Sequence, residues 1–281
     1  MSVVVNTNMS SLMVQRNLSN ATGAIQQNMR KLSTGMKINS AADDAAGLAL
    51  SEKLNSHIKS SDIAKNNAQT GINMLQIADS DLSVIQDNLQ KMRNLSIQAA
   101  NGVYSSTERK AINQEYQQRL LEIDRISASS QFSDLKLLDG SLSVGSNLRL
   151  QIGTDTGLTA NTINIASAFA TTTTAALGIG TSSTTTVATS RSAVNALDAA
   201  IQNMSDRRSI IGASINRLES TITRIDVRQE NLASAYSVIR DTDVAKETAA
   251  LTKNQVLQQS GGILLKQANQ STQIALSLLQ G

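Results

Sequence analysis

The side chains that most often perform chemistry are scarce in this chain, and their spacing matches no catalytic or metal-binding pattern. The 281 residues include one histidine and no cysteine, which excludes disulfides, thiolate metal sites and cysteine nucleophiles. The histidine, His57, lies in SEKLNSHIKS, so the HExxH pattern of zinc peptidases is absent. A single histidine on a polar helical stretch supports no Ser-His-Asp arrangement. We predict that His57 is an ordinary helix-surface residue.

Two adjacent carboxylates, Asp43 and Asp44, are the remaining candidates for acid–base chemistry. They follow Ser40 and precede an Ala-rich stretch. Acidic residues in this position are typical of a helix start, because their oxygens accept backbone N–H groups and complement the helix dipole. We therefore predict no catalytic residue, no metal, no cofactor and no enzymatic activity.

The charge and hydropathy patterns argue against two classes of partner. The formal net charge is +3, without a Lys/Arg cluster or interleaved aromatic residues, so we predict no nucleic-acid surface. No run approaches about 18 apolar residues, so we predict no membrane insertion. The N-terminus lacks a basic region followed by a long apolar core, and we predict no cleaved signal peptide.

The elements that position the remaining side chains are long helices with heptad periodicity. The clearest stripe runs from Leu197 to Ile239 in alternating steps of four and three, interrupted only by Arg208 and Gln229. At about 1.5 Å per residue, this stretch predicts a rod of roughly 65 Å. A rod of this length needs partner helices, because its apolar stripe must be buried.

Two further stripes supply candidate partners for that rod. One runs from Leu75 to Met92 and another from Ile112 to Ile123, with a turn at Asn101-Gly102 between them. The chain has no proline, so no helix is forced to kink. We predict a bundle of three long helices.

Amphipathic segments also occupy the two ends of the chain. One spans about 12–36, and the other spans 251–278 with a predicted break at Gly261-Gly262. Between Leu148 and Ile165 the period changes to two, which predicts a β-hairpin with a loop at 154–157. Residues 171–190 are low in complexity and rich in Thr and Ser, and we predict a surface connection or a small solvent-facing lobe.

Four stretches give the chain a family resemblance. They are LSTGMKINSAADDAAGLALSEKL at 32–54, NLQKMRNLSIQAANG at 88–102, EYQQRLLEIDRISASSQF at 115–132, and DTDVAKETAALTKNQVLQQSGGILLKQANQSTQIALSLL at 241–279. With these stretches the chain resembles the bacterial flagellins. That family inserts variable outer domains where this chain has only 166–190, so the resemblance implies a minimal form.

The resemblance implies a mainly α fold, in which long antiparallel helices form a terminal coiled-coil layer and a three-helix bundle with a small β-hairpin. The implied domains are an inner filament domain of 1–44 with 236–281, a helical bundle of 45–165 with 191–235 carrying a hairpin near 148–165, and a short connection at 166–190. The ends are implied to be disordered in the free monomer and to fold on assembly, because each alone buries too little apolar surface to offset its ordering cost.

The resemblance also implies a function, a location and partners. The implied function is a structural subunit that polymerises into the flagellar filament used for motility, secreted to the extracellular flagellum. Implied partners are many copies of the same chain, the flagellar export apparatus, a secretion chaperone, and the filament cap and hook junction proteins. The alternatives are a hook–filament junction protein, which should lack EYQQRL, and a secreted adhesin that shares the terminal helices.

Host immune receptors are further partners that the resemblance implies. Toll-like receptor 5 would contact the first long bundle helix and the helix facing it. The matching positions are Lys91, Leu95 and Glu115, and the neighbouring positions included in this contact are Gln90, Gln98, Ile112 and Arg119. Lys91 stands where the family usually has Arg, and because a point charge cannot replace a bidentate guanidinium, we expect recognition that this change can weaken.

A second implied set consists of terminal apolar residues that serve polymerisation. Its last three leucines also match those that cytosolic NAIP receptors and, in part, the chaperone engage before assembly covers them. The set comprises Leu18, Ile25, Leu32, Leu257, Leu264, Leu276, Leu278 and Leu279.

Overall fold

The computed structural model describes residues 7–142, 148–155 and 157–280, and confirms the predicted mainly α fold. The helices are α1 (Met9–Thr34), α2 (Ala45–Ala99), α3 (Ser106–Ser129), α4 (Leu158–Asn161), α5 (Val187–Arg240) and α6 (Val244–Gln280). The strands are β1 (Gln131–Phe132), β2 (Leu135–Lys136), β3 (Arg149–Gln151) and β4 (Thr162–Asn164). A 3-10 turn spans Ala166–Ala168.

The chain divides into two compact units. The terminal unit contains Met1–Ser56 with Asn231–Gly281, and the central unit contains His57–Glu230. One division falls inside α2, between Ser56 and His57, and the other falls inside α5, between Glu230 and Asn231. The central unit holds the large apolar core, which is described first.

The core of the central unit is built from the predicted heptad stripes. On α5, the buried positions recur every seven residues and alternate with half-buried isoleucines, as two-sided coiled-coil packing requires. On α3, Tyr116 and Ile123 are fully buried. The fully or nearly fully buried stripe positions of α2 and α5 are Leu75, Ala78, Leu82, Ile85, Leu89, Met92, Leu197, Met204, Ile211 and Leu218.

The two polar interruptions in the α5 stripe bond to α2. The Arg208 guanidinium donates to Asp79 at 2.8 Å and to Gln86 at 3.1 Å. The Gln229 amide donates to Asp62 at 2.8 Å. A polar residue in an apolar seam limits which alignment of two helices is satisfied. These interruptions therefore fix the register between α2 and α5.

Two ion pairs repeat that register. Lys65 lies 2.7 Å from Asp226, and Arg93 lies 2.5 Å from Asp198. As the α2 number rises, the number of its α5 partner falls, which shows that the helices are antiparallel. Because the four side chains are about half exposed, water screens both pairs and each contributes little to stability. Their effect is on alignment more than on stability.

Two small antiparallel sheets lie beside the bundle. In the predicted hairpin, Leu150 of β3 pairs with Ile163 of β4, and the short helix α4 occupies part of the connection. The β1–β2 hairpin, in which Phe132 pairs with Leu135, was not predicted. Its two-residue strands are too short to show a period of two.

The interpretation of 171–190 as a surface connection is wrong. Leu177 and Ile179 lie in the core together with Phe169, which precedes the segment. The backbone N–H and hydroxyl of Thr174 both donate to Asp124 at 2.8 Å, and the N–H of Thr184 donates to Asn113 at 2.8 Å. Side chains of α3 thus bond to Thr174 and Thr184, and the segment packs against the core although its sequence has no periodic pattern. The helix α5 also begins within it, at 187.

The predicted helix start at Asp43 and Asp44 is confirmed, whereas the predicted helix break at 261–262 is wrong. Asp44 accepts from the N–H of Gly47 at 2.9 Å at the start of α2, and Asp43 accepts from the N–H groups of Asn39 and Ser40. These bonds lower the pKa of Asp43. The helix α6 continues through both glycines without a break. Each glycine costs about 1 kcal/mol of helix stability relative to alanine.

The two connections to the terminal helices are bonded to each other. Gly35, in left-handed backbone geometry (φ 70°), ends α1, and its carbonyl accepts from the N–H of Thr242 at 2.9 Å. The N–H of Lys37 donates to the carbonyl of Arg240 at 2.8 Å, and Met36 forms a β-bridge with Asp241. The segments between α1 and α2 and between α5 and α6 therefore run side by side.

We predict that the central unit loses stability above about pH 10 through Tyr116. Its phenol is fully buried, and no hydrogen bond of good geometry reaches its oxygen among the described residues. Burial raises the pKa of Tyr116 above its ordinary 10.0, with Ser182 opposing part of the shift. The unfolded phenol therefore ionises first, and stability is lost as pH rises from about 10 through the folded pKa.

The measurement is urea unfolding at pH 8, 10 and 11 followed by circular dichroism. The wild type should weaken more steeply with pH than Tyr116→Phe, whereas Tyr104→Phe, at a half-buried tyrosine, should follow the wild type. Identical pH slopes for wild type and Tyr116→Phe would contradict this account.

Candidate functional site

In the terminal unit, α1 and α6 form an antiparallel pair linked by polar side chains. The amide of Asn8 donates to the carbonyl of Ala268 at 2.8 Å. Farther along, Gln258 donates to the hydroxyl of Thr22 at 3.2 Å. Near the other end, Lys31 lies 3.6 Å from Glu247. The contacts follow one register along both helices.

A buried asparagine lies in the seam of this pair. Asn28 is 8% exposed. With its amide oriented to satisfy both ends, its nitrogen donates to Glu247 at 3.1 Å and its oxygen accepts from Asn254 at 3.2 Å. A buried asparagine between helices costs stability but specifies alignment and partner. Asn28 therefore favours the pairing of α1 with α6 in this register.

The α1–α6 pair leaves most of its large apolar side chains uncovered. On α1 only Ala21 and Asn28 are buried, and no described side chain of α6 is buried. The exposed set is far larger than the scattered single residues normal for a monomer surface. Its members, each 50% exposed or more, are Met9, Leu12, Met13, Met29, Val244, Val256, Leu257, Ile263 and Leu264.

The uncovered residues of α6 lie on two different sides of the helix. If the positions that meet α1 are heptad a and d, Val256 and Ile263 fall at f, directly opposite the seam. Leu257 and Leu264 fall at g, where with Leu18 of α1 they line a groove of about 480 Å³. One partner helix cannot cover both sides, so the pair presents at least two separate apolar surfaces.

The structure places five of the eight predicted polymerisation residues. Leu18, Ile25 and Leu32 recur every seven residues on α1 and are half-buried along the seam. Leu257 and Leu264 are exposed beside the groove. The remaining three are Leu276, Leu278 and Leu279. Their backbone belongs to α6, but their side chains are not among those that the structure describes.

The predicted receptor residues lie on α2 and α3 of the central unit. Among them, Arg119 donates to Glu115 at 2.7 Å and to the amide oxygen of Asn88 at 3.3 Å, which ties α3 to α2. Asn88 was not predicted, because a single half-buried polar residue leaves no periodic signal in the sequence. Gln90, Lys91, Gln98 and Glu115 are exposed, and Leu95, Ile112 and Arg119 are half-buried.

Chemistry-bearing groups do not converge within the part of the chain that the structure describes. No three His, Cys, Asp or Glu side chains there form a group that could hold a metal ion. His57 is half-buried on α2, where its carbonyl accepts from Ser61 at 2.8 Å. None of the described helices combines the length and apolar character needed to cross a bilayer.

Comparisons with known proteins cover nearly the whole chain. Residues 5–143 match the bacterial flagellin N-terminal helical region, and residues 194–279 match the bacterial flagellin C-terminal helical region. The chain is 42% identical to the flagellar filament 33 kDa core protein of Treponema phagedenis over 292 aligned positions, covering 99% of this chain and 100% of that one.

Two further flagellins are similar. A flagellin of Halalkalibacterium halodurans is 36% identical, covering 99% of this chain and 100% of that protein. The crystal structure of Bacillus cereus flagellin is 28% identical and covers 61% of this chain and 94% of its own, with a TM-score of 0.49. On the family matches and the full-length relatives, the chain belongs to the bacterial flagellin family and is a structural subunit of the flagellar filament.

Proposed function

We propose that the α1–α6 pair is the part of the subunit that neighbouring copies cover when the filament forms. The observation that carries this proposal is the exposure of Val256, Ile263, Leu257 and Leu264 on two sides of α6. Burial of a large aliphatic side chain contributes about 1.5–3 kcal/mol. If other copies covered both sides, the apolar burial would offset the conformational entropy that the α1–α6 pair loses when it becomes ordered.

The presence of two separate apolar surfaces also favours an open polymer. An isologous dimer pairs one patch with itself and stops, whereas two distinct patches lead to head-to-tail contacts that continue. In this proposal 1–44 with 236–281 form the inner filament layer. The bundle of 45–165 with 191–235 lies outside that layer, and 166–190 stands where the family resemblance implies variable outer domains.

The remaining partners in the proposal rest on the family. The chain would leave the cell through the flagellar export apparatus without a cleaved signal peptide, escorted by a secretion chaperone, and would meet the filament cap and hook junction proteins. It would perform no chemistry, since its role is coupled folding and stacking of helices. No observation favours a junction protein or an adhesin, and the EYQQRL segment at 115–120 is present within α3.

The α3–α2 surface that carries Lys91, Leu95 and Glu115 is proposed as the contact for Toll-like receptor 5. The bonds from Arg119 to Glu115 and Asn88 support this by holding the α3 side of the surface in one arrangement. The terminal leucines are proposed to contact the chaperone and NAIP receptors before assembly.

Assembly is tested by making the surface opposite the seam polar. Val256→Ser with Ile263→Ser should raise the critical concentration for polymerisation at least tenfold, because two apolar contacts per subunit are lost. The control is Gln255→Ser with Gln259→Ser, at exposed polar positions of the same helix, which should polymerise normally. Sedimentation and electron microscopy of seeded protein measure the outcome.

A chain reduced to 57–230 extends this test, because it keeps the central unit and its core. It should stay monomeric under conditions in which the full chain forms filaments. Normal filaments from this short chain, or from the Val256/Ile263 double variant, would overturn the proposed role of the α1–α6 pair.

The receptor surface is tested by restoring the guanidinium. Lys91→Arg should raise Toll-like receptor 5 signalling roughly threefold to tenfold, because Arg can form paired charge-assisted hydrogen bonds. Lys59→Arg, at an exposed position on the same helix, is the matched control and should change nothing. A reporter-cell dose response with monomeric protein is the measurement, and equal responses from wild type and Lys91→Arg would refute this assignment.

A further inference from the structure

Six of the eight methionines of this protein fall into two groups that differ sharply in exposure. Of the other two, Met36 is half-buried and Met1 lies outside the described residues. On α1, Met9, Met13 and Met29 are 68%, 56% and 58% exposed. In the core of the central unit, all three methionines are 4% exposed or less, and these are Met74, Met92 and Met204. The chain therefore carries accessible thioethers at one end and shielded thioethers in its core.

Two of the three accessible methionines lie away from the seam between α1 and α6. In the heptad that places Leu18 at a and Asn28 at d, Met9 falls at f and Met13 at c, on the outer side of the helix. Leu12, at b, is 52% exposed and completes a patch of three neighbouring apolar side chains with Met9 and Met13. Met29, at e, flanks the seam.

Exposure decides which of these thioethers an oxidant reaches. Hydrogen peroxide transfers one oxygen atom to the sulfur of methionine, so the sulfur is oxidised by two electrons while the peroxide is reduced to water. A hypohalous acid gives the same sulfoxide and releases halide and a proton. The sulfoxide is polar and chiral, and it accepts hydrogen bonds that an apolar interface cannot provide.

We propose that Met9, Met13 and Met29 form an oxidation site at which a peroxide or hypohalous oxidant stops the free subunit from polymerising. This inference rests on the proposed function, in which the outer side of α1 is covered by neighbouring copies. Before assembly the three thioethers react, and afterwards the covered ones are protected. Oxidant would therefore block new assembly without dissolving existing filament.

The contrast with the core makes the effect local. Met74, Met92 and Met204 are shielded by the central unit, so a moderate dose of oxidant modifies α1 while the core keeps its packing. Leucine is a suitable replacement at the three α1 positions, because it is apolar, of similar volume and a strong helix former, and it has no sulfur.

The experiment treats monomeric full-length protein with hydrogen peroxide and maps sulfoxides by peptide mass spectrometry. Met9, Met13 and Met29 should be oxidised at least tenfold faster than Met74, Met92 and Met204. The critical concentration for polymerisation should then rise at least tenfold. Reduction by the MsrA and MsrB enzymes together should restore it. Preformed filament should be oxidised at Met9 and Met13 at least tenfold more slowly than monomer.

The variant M9L/M13L/M29L should polymerise equally well with and without peroxide. The proposal is overturned if oxidised wild type polymerises normally, or if the leucine variant loses polymerisation at the same dose. Should the leucine variant not polymerise untreated, the reductase reversal on wild type decides the question. The untreated variant V256S/I263S separates the two proposals. If it polymerises normally, the proposal that neighbouring copies cover the α1–α6 pair is wrong. If it fails to polymerise but oxidised wild type polymerises normally, only the proposed oxidation site is wrong.

Discussion

A pair of helices can cover only one side of each member, and this geometric constraint governs the terminal unit. The seam between α1 and α6 is occupied by Asn28, small residues and half-buried leucines, whereas Val256 and Ile263 face the other way. The pair is aligned by polar contacts but is poor in buried apolar surface. Its order therefore depends on what covers the outer sides, and we propose that other copies of the chain cover them.

The central unit, in contrast, buries its apolar stripes within itself. Three helices surround one core, the stripes of α2 and α5 are buried along their length, and the pairs Arg208–Asp79 and Gln229–Asp62 set the alignment. The Thr-rich segment adds apolar side chains to that core and bonds to α3. A unit of this kind supplies its own stability, so it can keep its shape while the termini change their surroundings.

The sequence predicted the elements whose signal is periodic. The heptad stripes placed α2, α3 and α5, and Asp44 marked a helix start. The wrong predictions concern places where packing outweighs local preference: α6 passes through two glycines, and 171–190 packs although its composition suggests a linker. Asn28 and Asn88 were missed, since a polar residue becomes important only through its spatial neighbours. The receptor residues came from family resemblance, because exposed positions on a helix carry no distinguishing pattern of their own.

The paired connections at Gly35–Lys37 and Arg240–Thr242 have a mechanical consequence. One segment connects α1 to α2 and the other connects α5 to α6, and backbone hydrogen bonds join the two segments side by side. A tensile load on one connection is transferred to the other as shear across both backbone hydrogen bonds at once. Two connections bonded in this way resist stretching and twisting better than one flexible linker.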